Sequence, residues 1–231
     1  MAVNDRDFTI SDGRLMEYGT SVASFLPDDL ADFSAFDSTF NHSFIDNLRE
    51  SMEDVRAVKS DDVVVDEQSE HTDKVREKME QCNEAYTTVA FFVRKAFDDN
   101  RSVQNQFGMN DISEARNNQL KMIQFMQSLA KTAARYKDQL VEGGINPEVI
   151  DTLPQLSEEL EDANNRQEMF KKERPGITQE RVKRLNKVYH MLSYVSDIAK
   201  IIYADNPAQL NKYKMPTPRT STDSEDDLIT S

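Results

Sequence analysis

The chain has 231 residues, of which 38% are hydrophobic and 30% are charged, and its formal net charge is −14. Such a charge repels the phosphates of nucleic acids and the surface of anionic membranes. The single cysteine, Cys82, excludes an intrachain disulfide, and the acidic N-terminus lacks the apolar stretch of a secretory signal. We therefore expect a cytoplasmic protein with neither a membrane nor a nucleic acid as its partner.

Charge is distributed unevenly along the chain. Residues 1–70 contain 17 acidic and 5 basic residues, a net charge of −12, whereas residues 171–219 contain 4 acidic and 11 basic residues, a net charge of +7. Opposite charges attract, so we expect these two segments to meet, either within one chain or between two subunits.

The first predicted helix follows an irregular stretch. Residues 1–27 contain two glycines and Pro27, and they predict an irregular N-terminal arm. From Asp28 onward apolar residues recur every three or four positions, which is the spacing of one helix face. Four phenylalanines begin this stripe: Phe33, Phe36, Phe40 and Phe44. They are either core residues or, on a loosely packed helix, a surface for another subunit.

The second and third predicted helices carry seams of heptad type. Thr72 is a candidate N-cap, and apolar residues from Val75 to Ala96 follow it at spacings of four and three. The third helix begins near Asp111. Gly143-Gly144 ends it, because glycine adopts the left-handed conformation that closes a helix without steric cost.

Two more helices are predicted towards the C-terminus. Asn146-Pro147 forms a cap and a first helical residue, and Pro154 predicts a second start. The sequence KKERPG at residues 171–176 ends the fourth helix, because proline removes a helical hydrogen bond. Thr178 caps the fifth helix. Residues 216–231 are rich in proline, serine and acidic residues, and they predict a disordered acidic tail.

These segments predict the fold class. No segment shows the sustained alternation of a β-strand, so we expect an all-α protein. Short loops between amphipathic helices favour antiparallel neighbours. We therefore predict an elongated antiparallel up-and-down bundle of about five long helices over residues 28–215, placed between the arm and the tail.

One phrase occurs twice in the chain. Residues 97–109 (FDDNRSVQNQFGM) and 203–215 (YADNPAQLNKYKM) match at an offset of 106. They indicate either an internal duplication, of 72–109 as 178–215, or two helices that end alike by convergence. We interpret both copies as bundle-end closures, in which an asparagine caps a short turn and an aromatic side chain folds back. The residues concerned are Phe97, Asn100, Phe107, Tyr203, Asn206 and Tyr213.

The sequence offers little catalytic chemistry. None of the three histidines follows a glutamate at the spacing of a di-iron bundle, and one cysteine with scattered histidines does not make a zinc site. The six glycines form neither a phosphate-binding loop nor a dinucleotide fingerprint. We therefore expect no catalytic, cofactor or metal site, and rank an enzyme of unrecognised type last.

Several patterns in the second half of the chain resemble those of uncharacterised bacterial all-helical bundle proteins. They are FGMND (107–111), EAR (114–116), GGINP (143–147), TQER (178–181) and ADNP (204–207). The resemblance spans about residues 97–216 and implies a helical bundle without an assigned activity.

The sequence predicts a non-enzymatic structural or interaction protein, a helical bundle that self-associates as a homo-oligomer or docks onto a larger protein assembly. The alternative is a binding module that holds a small ligand or peptide between helices, which requires a cavity lined by Phe, Met and Tyr. The basic segment 171–187 is either a solvated face or a surface for acidic partners. The candidate interaction surface comprises Phe33, Phe36, Phe40, Phe44, Arg181, Arg184 and Lys187.

Overall fold

A computed structural model describes residues 6–218, and across that range the chain is helical without a β-strand. The helices are α1 (Asp12–Phe36), α2 (His42–Arg56), α3 (Asp61–Ala96), α4 (Arg101–Gln106), α5 (Ile112–Ala115), α6 (Gln119–Arg135), α7 (Lys137–Glu142), α8 (Pro147–Ile202) and α9 (Pro207–Lys212). The all-α prediction is confirmed. The predicted tail lies outside the described residues from 219 onward.

The chain forms two compact units, whereas the sequence predicted one bundle. Unit 1 combines Met1–Asp61 with Pro175–Ser231, and unit 2 is Asp62–Arg174. Each unit has its own hydrophobic core. The acidic and basic segments meet inside unit 1, where Arg181 pairs with Asp12 at 3.1 Å and Lys212 pairs with Asp29 at 3.2 Å.

The prediction of an irregular arm over residues 1–27 is wrong beyond residue 11. Helix α1 begins at Asp12, and the side chain of Ser11 caps it by accepting a hydrogen bond from the backbone N–H of Arg14 at 3.3 Å. Glycine here serves close packing, since a Cβ at Gly19 would lie 3.0 Å from the sulfur of Met52 on α2. Four residues at helical spacing fill the core from this segment: Leu15, Tyr18, Val22 and Leu26.

In unit 1, two helices run in the same direction and the third runs against them. Asp12 at the start of α1 pairs with Arg181 of α8, and Phe33 near the end of α1 contacts Tyr203 just beyond α8. Helix α2 returns along α1, since Arg49 donates to the carbonyl oxygen of Ala23. The parallel pair is a correction to the predicted antiparallel up-and-down order.

Unit 2 has the same arrangement. Tyr86 of α3 contacts Phe125 of α6. Eleven residues further along each segment, Phe97 just after α3 contacts Tyr136 just after α6. The two helices are therefore parallel. The N-terminal part of α8 is antiparallel to α3, because Lys78 pairs with Glu159 while Thr72 bonds Gln167. Residues 97–118, with α4 and α5, form the crossover connection that a parallel pair requires.

Helix boundaries differ from the prediction where proline and capping residues lie inside long helices. Helix α8 runs from Pro147 to Ile202, so neither Pro154 nor KKERPG breaks it, and Thr178 caps nothing. Exposed residues at 171–173 and 175–176 leave the carbonyls near Pro175 accessible to water. Similarly, α3 begins at Asp61, and the Thr72 hydroxyl donates to the carbonyl oxygen of Gln68 within the helix.

Candidate functional site

The two copies of the repeated phrase adopt the same local backbone. We name residues 203–213 closure 1 and residues 97–107 closure 2. Asn206 and Asn100 have φ/ψ of −128°/83° and −118°/78°, and each side-chain oxygen accepts from the backbone N–H three residues on, at 3.3 and 3.1 Å. Each asparagine N–H also donates to the preceding aromatic residue's carbonyl oxygen, at 3.0 Å in both closures.

Each closure stacks two rings and places them against a third ring. Tyr203 and Tyr213 lie 6.1 Å apart in closure 1, and Phe97 and Phe107 lie 6.2 Å apart in closure 2. The third ring is Phe33 in unit 1 and Tyr136 in unit 2. Tyr213 and Phe107 are buried, at 0% and 1% exposure. The second aromatic residue of each phrase is therefore a core residue that closes the end of its own unit.

Closure 1 contains a network of tyrosines and aspartates. The hydroxyl of Tyr213 donates to Asp29 at 2.7 Å, and that of Tyr203 donates to Asp32 at 2.9 Å. Tyr18 donates to the carbonyl oxygen of Tyr213 at 2.7 Å. Burial raises the pKa of Tyr18 to about 12. Burial, and next the hydrogen bonds to the carboxylates, hold the pKa values of Tyr213 and Tyr203 far above the ordinary tyrosine value.

The structure separates the predicted phenylalanine surface into core and surface residues. Phe33 and Phe40 are fully buried at 0% exposure, Phe44 is half-buried, and Phe36 is 53% exposed. Phe33 and Phe40 are needed inside unit 1 because they pack on each other and on the rings of closure 1 and Tyr194. Including Phe33 and Phe40 in an exposed interaction surface was therefore wrong.

The basic part of the predicted surface mostly serves the end of α2. Arg181 is 9% exposed, pairs with Asp12, and donates to the carbonyl oxygen of Val58 at 3.2 Å. Arg184 donates to the carbonyl oxygen of Asp54 at 2.7 Å. Cations at a helix C-terminus satisfy carbonyls that lack a helical partner. Only Lys187 of this set is exposed.

A non-helical N-terminal segment covers one face of α8 in unit 1. We name residues 6–11 the strap. The backbone N–H of Asp7 donates to the side-chain oxygen of Asn186 at 3.1 Å, its carboxylate contacts His190 at 2.7 Å, and the ring of Phe8 packs on Tyr189 at 5.5 Å. Phe8 and Ile10 are each 6% exposed. In unit 1 a short acidic and apolar segment without helical structure thus packs on a helix.

The corresponding part of α3 in unit 2 is uncovered by the rest of that unit. We name it the open face; its residues are Arg76, Met79, Glu80, Asn83, Glu84 and Thr87. With Thr88 they line a shallow groove of about 770 Å³, to which α3 alone contributes. The side-chain oxygen of Asn83 is hidden from solvent and has no hydrogen-bond partner among the described residues. Such an acceptor costs roughly 1–3 kcal/mol.

Sequence reasoning missed the open face because Met79 fits the heptad seam. Its side chain does pack against the core of unit 2, yet it remains partly exposed. A signal was present in the sequence, however. Asn83 follows Met79 by one turn, and Glu80 and Glu84 flank it at i,i+4, a like-charge spacing that weakens a helix slightly. Phe91, two turns further along this side, is 61% exposed.

A second groove lies between α3 and α8 within unit 2. Its volume is about 760 Å³, and charged residues such as Lys74, Lys78, Glu159 and Arg166 line it. Lys78 and Glu159 pair across it at 2.7 Å. Cys82, on the neighbouring seam, is buried, and burial raises the pKa of its thiol to about 11. The thiol is therefore protonated at neutral pH and unsuited to nucleophilic attack.

Comparison with known proteins adds no family assignment. No protein-family model, curated protein sequence or solved structure matches this chain. Within residues 6–218, no three or more His, Cys, Asp or Glu side chains are grouped to hold a metal ion. None of the described helices carries an apolar stretch long enough to cross a bilayer. Residues 6–218 thus form an all-helical fold in which each of the two units is built on three long helical segments, with the strap covering one face of unit 1.

Proposed function

We propose that this protein is a non-enzymatic interaction protein that docks onto a protein partner through the open face of α3. The observation that carries the proposal is a face that no other part of unit 2 covers, on which Met79 is partly exposed and Glu80 and Glu84 are exposed without an ion pair among the described residues. A partner that covers this face buries more of Met79 and supplies opposite charge to the two glutamates.

Apolar groups on the same face support docking. Met79 is partly exposed although it belongs to the seam of α3, and Phe91 is largely exposed. Mixed apolar and polar groups on one helix are typical of surfaces that bind proteins. Both self-association and docking onto a larger assembly use such a surface, and the mass of a crosslinked product distinguishes them.

Site-specific photocrosslinking in the native host tests this function. A benzoylphenylalanine at Thr87, on the open face, is expected to give one adduct of defined mass, and the added substitution Phe91→Glu is expected to abolish it. The control position is Thr152, which is exposed on α8 of the same unit. An adduct of twice the chain mass means self-association. No adduct at Thr87, or equal adducts at both positions, contradicts the proposal.

We also propose that the two units arose by internal duplication of residues 72–109 as 178–215. Matching caps, matching ring stacks and the same helix directions in both units support this origin. An experimental structure tests it: residues 97–107 and 203–213 should superpose together with the helices before them. Agreement limited to the two capping turns would favour convergence.

A ligand-binding module is the second candidate function, and the charged groove between α3 and α8 favours it. Acidic side chains outnumber basic ones in its lining, which holds Glu70, Asp73, Glu77, Glu159 and Asp162 beside two lysines and one arginine. The groove therefore suits a cationic ligand rather than the apolar ligand expected for a cavity lined by aromatic residues. Native mass spectrometry of the protein purified from its host tests this candidate. A bound small molecule that Asp162→Lys removes supports it, and a ligand-free mass counts against it.

A further inference from the structure

The open face and the strap-covered face occupy the same register relative to the two closures. Helices α3 and α8 run without interruption into closure 2 and closure 1, so residues 106 apart lie at the same height and on the same side. Six such pairs are buried in both units: 75 and 181, 82 and 188, 86 and 192, 89 and 195, 90 and 196, and 93 and 199.

Burial differs where the strap lies. Val182 and Leu185 are buried in unit 1, at 4% and 0% exposure, and Leu185 shares a core cluster with Phe8 and Ile10 of the strap. The matching residues in unit 2, Arg76 and Met79, are exposed and partly exposed. Unit 2 thus lacks, within residues 62–174, the counterpart of a segment that completes unit 1.

The polar groups on the two faces differ in a way that specifies the missing segment. The strap contacts Asn186, Tyr189 and His190, and its Asp7 supplies a carboxylate to the histidine. At the matching positions unit 2 has Glu80, Asn83 and Glu84. Glu80 and Glu84 are exposed and make no ion pair with another residue in the described part of the chain, whereas the side-chain oxygen of Asn83 is hidden from solvent. A segment that fits must therefore bring donors and positive charge.

We propose that the open face of α3 binds an extended segment of a protein partner in which an apolar residue is flanked by lysine or arginine. The cations of that segment lie against Glu80 and Glu84, and its apolar side chain packs on Met79. This assignment rests on the proposed function and names the chemistry of the partner.

The dimensions agree with a segment of strap size. An extended chain of six residues spans roughly 20 Å. From Arg76 to Phe91 the helix rises roughly 22 Å at about 1.5 Å per residue. A segment as long as the strap therefore reaches from the polar groups of the open face to the exposed ring of Phe91, which adds apolar contact area.

Peptide binding to the full-length protein tests the proposal. The probe is the labelled peptide Lys-Arg-Lys-Phe-Thr-Ile-Ser, which is residues 5–11 with Asp5→Lys and Asp7→Lys. The comparison peptide keeps the native sequence Asp-Arg-Asp-Phe-Thr-Ile-Ser. Fluorescence anisotropy is expected to show saturable binding of the basic peptide, weakened by added salt, and at least about tenfold weaker binding of the acidic one.

Matched variants locate the binding site. Glu80→Lys/Glu84→Lys is expected to weaken binding of the basic peptide at least about tenfold. The control Asp66→Lys/Glu70→Lys makes the same charge change at the same spacing on α3 and is expected to leave binding unchanged. Asn83→Leu is expected to raise the melting temperature of the free protein, because it removes the unpartnered acceptor, and to leave peptide binding unchanged, because that oxygen is hidden from solvent.

Three results would overturn the proposal: no binding of the basic peptide up to about 1 mM, which corresponds to roughly −4 kcal/mol; equal binding of the acidic peptide; or equal loss of binding in both charge variants. Photocrosslinking at Thr87 separates this failure from that of the proposed function. Adducts at Thr87 without peptide binding would mean that the face docks a partner of different chemistry. Failure of both experiments rejects both proposals.

Discussion

Closures 1 and 2 have the same backbone geometry but differ in the side chains at their two ring positions. Closure 1 places tyrosines at both ring positions, and closure 2 places phenylalanines there. The reason lies on the parallel helix. Asp29 and Asp32 stand four residues and one residue before Phe33, whereas Thr132 and Arg135 stand at the same distances before Tyr136. At these two ring positions, hydroxyl groups therefore occur in the unit whose parallel helix provides carboxylates to accept their hydrogen bonds.

Some features of a closure determine its backbone shape, and others adjust its stability. Both closures share the asparagine cap and the buried second ring, so these features determine the shape. The tyrosine and aspartate network is present in one unit alone among the described residues, so it adjusts stability and pH dependence. The following predictions test this division, beginning with the largest effect.

Deleting the second ring should destabilise either unit strongly. Phe107→Ala and Tyr213→Ala each remove a fully buried ring and leave a cavity, so we expect a loss of about 3–5 kcal/mol in the unit concerned. Native-state hydrogen exchange resolves the loss for each unit. Phe91→Ala, at a ring that is 61% exposed, serves as the control and should cost under about 0.5 kcal/mol. A loss below about 1 kcal/mol at Phe107 or Tyr213 would contradict the role of a core residue that closes its unit.

Alkaline pH should unfold unit 1 before unit 2. The folded state raises the pKa values of Tyr18, Tyr203 and Tyr213, first through burial. Their stabilisation is therefore complete below the unfolded-state pKa of about 10 and falls as pH rises towards the folded-state values, by up to about 1.4 kcal/mol per pH unit for each buried tyrosine.

Hydrogen exchange between pH 9 and 12, corrected for the intrinsic rate, measures this difference between the units. Unit 2 retains a smaller dependence, because burial also raises the pKa values of Tyr86 and of the Cys82 thiol. The double variant Tyr203→Phe/Tyr213→Phe should make the slope of unit 1 shallower. Equal slopes for the two units in the unsubstituted protein would show that the network does not govern alkaline stability.

Removing one hydroxyl should convert closure 1 towards closure 2 at moderate cost. Tyr213→Phe leaves the ring in place but removes the donor to Asp29, a hydrogen bond to a charged group worth about 1.5–3 kcal/mol. Chemical denaturation measures the loss. Tyr136→Phe is the matched control, because its hydroxyl makes only an exposed contact of 3.3 Å with Gln106. Equal costs would mean that the carboxylate contributes nothing specific.

The caps should contribute similarly in both units, with the smallest effect of the series. Asn100→Ala and Asn206→Ala each remove one capping hydrogen bond, and we expect about 1 kcal/mol for each. Melting temperatures of the two variants should fall by similar amounts, with exposed Asn211→Ala as the control. If the losses of stability in the two variants differ by more than about 1 kcal/mol, the two caps contribute unequally despite their shared geometry.

Local patterns in the sequence predicted part of this structure well. The seams of α3 and α6, the end of α7 at Gly143-Gly144 and the caps at Asn100 and Asn206 depend on neighbouring residues. These features could therefore be predicted from the local sequence. Gly144 has a φ of 104°, which is the left-handed conformation expected for a helix end.

Features decided by distant residues escaped prediction. Pro175 was predicted to end a helix, yet α8 continues through it from Pro147 to Ile202. Phe33 was a surface candidate until closure 1, about 170 residues away in sequence, was seen to cover it. The open face was missed for the opposite reason, because seam spacing alone cannot show that a segment is lacking.

The division of unit 1 between two distant parts of the chain orders events during synthesis. Helices α1 and α2 leave the ribosome long before residues 175–213, their main packing partners. At about 5–20 residues per second, the 118 intervening residues require roughly 6–24 s. The contiguous unit 2 can fold as soon as residue 174 has left the ribosome, whereas Phe33, Phe40 and their neighbours lack their core throughout that interval. A nascent chain stalled before residue 175 should therefore recruit chaperones through its first 60 residues.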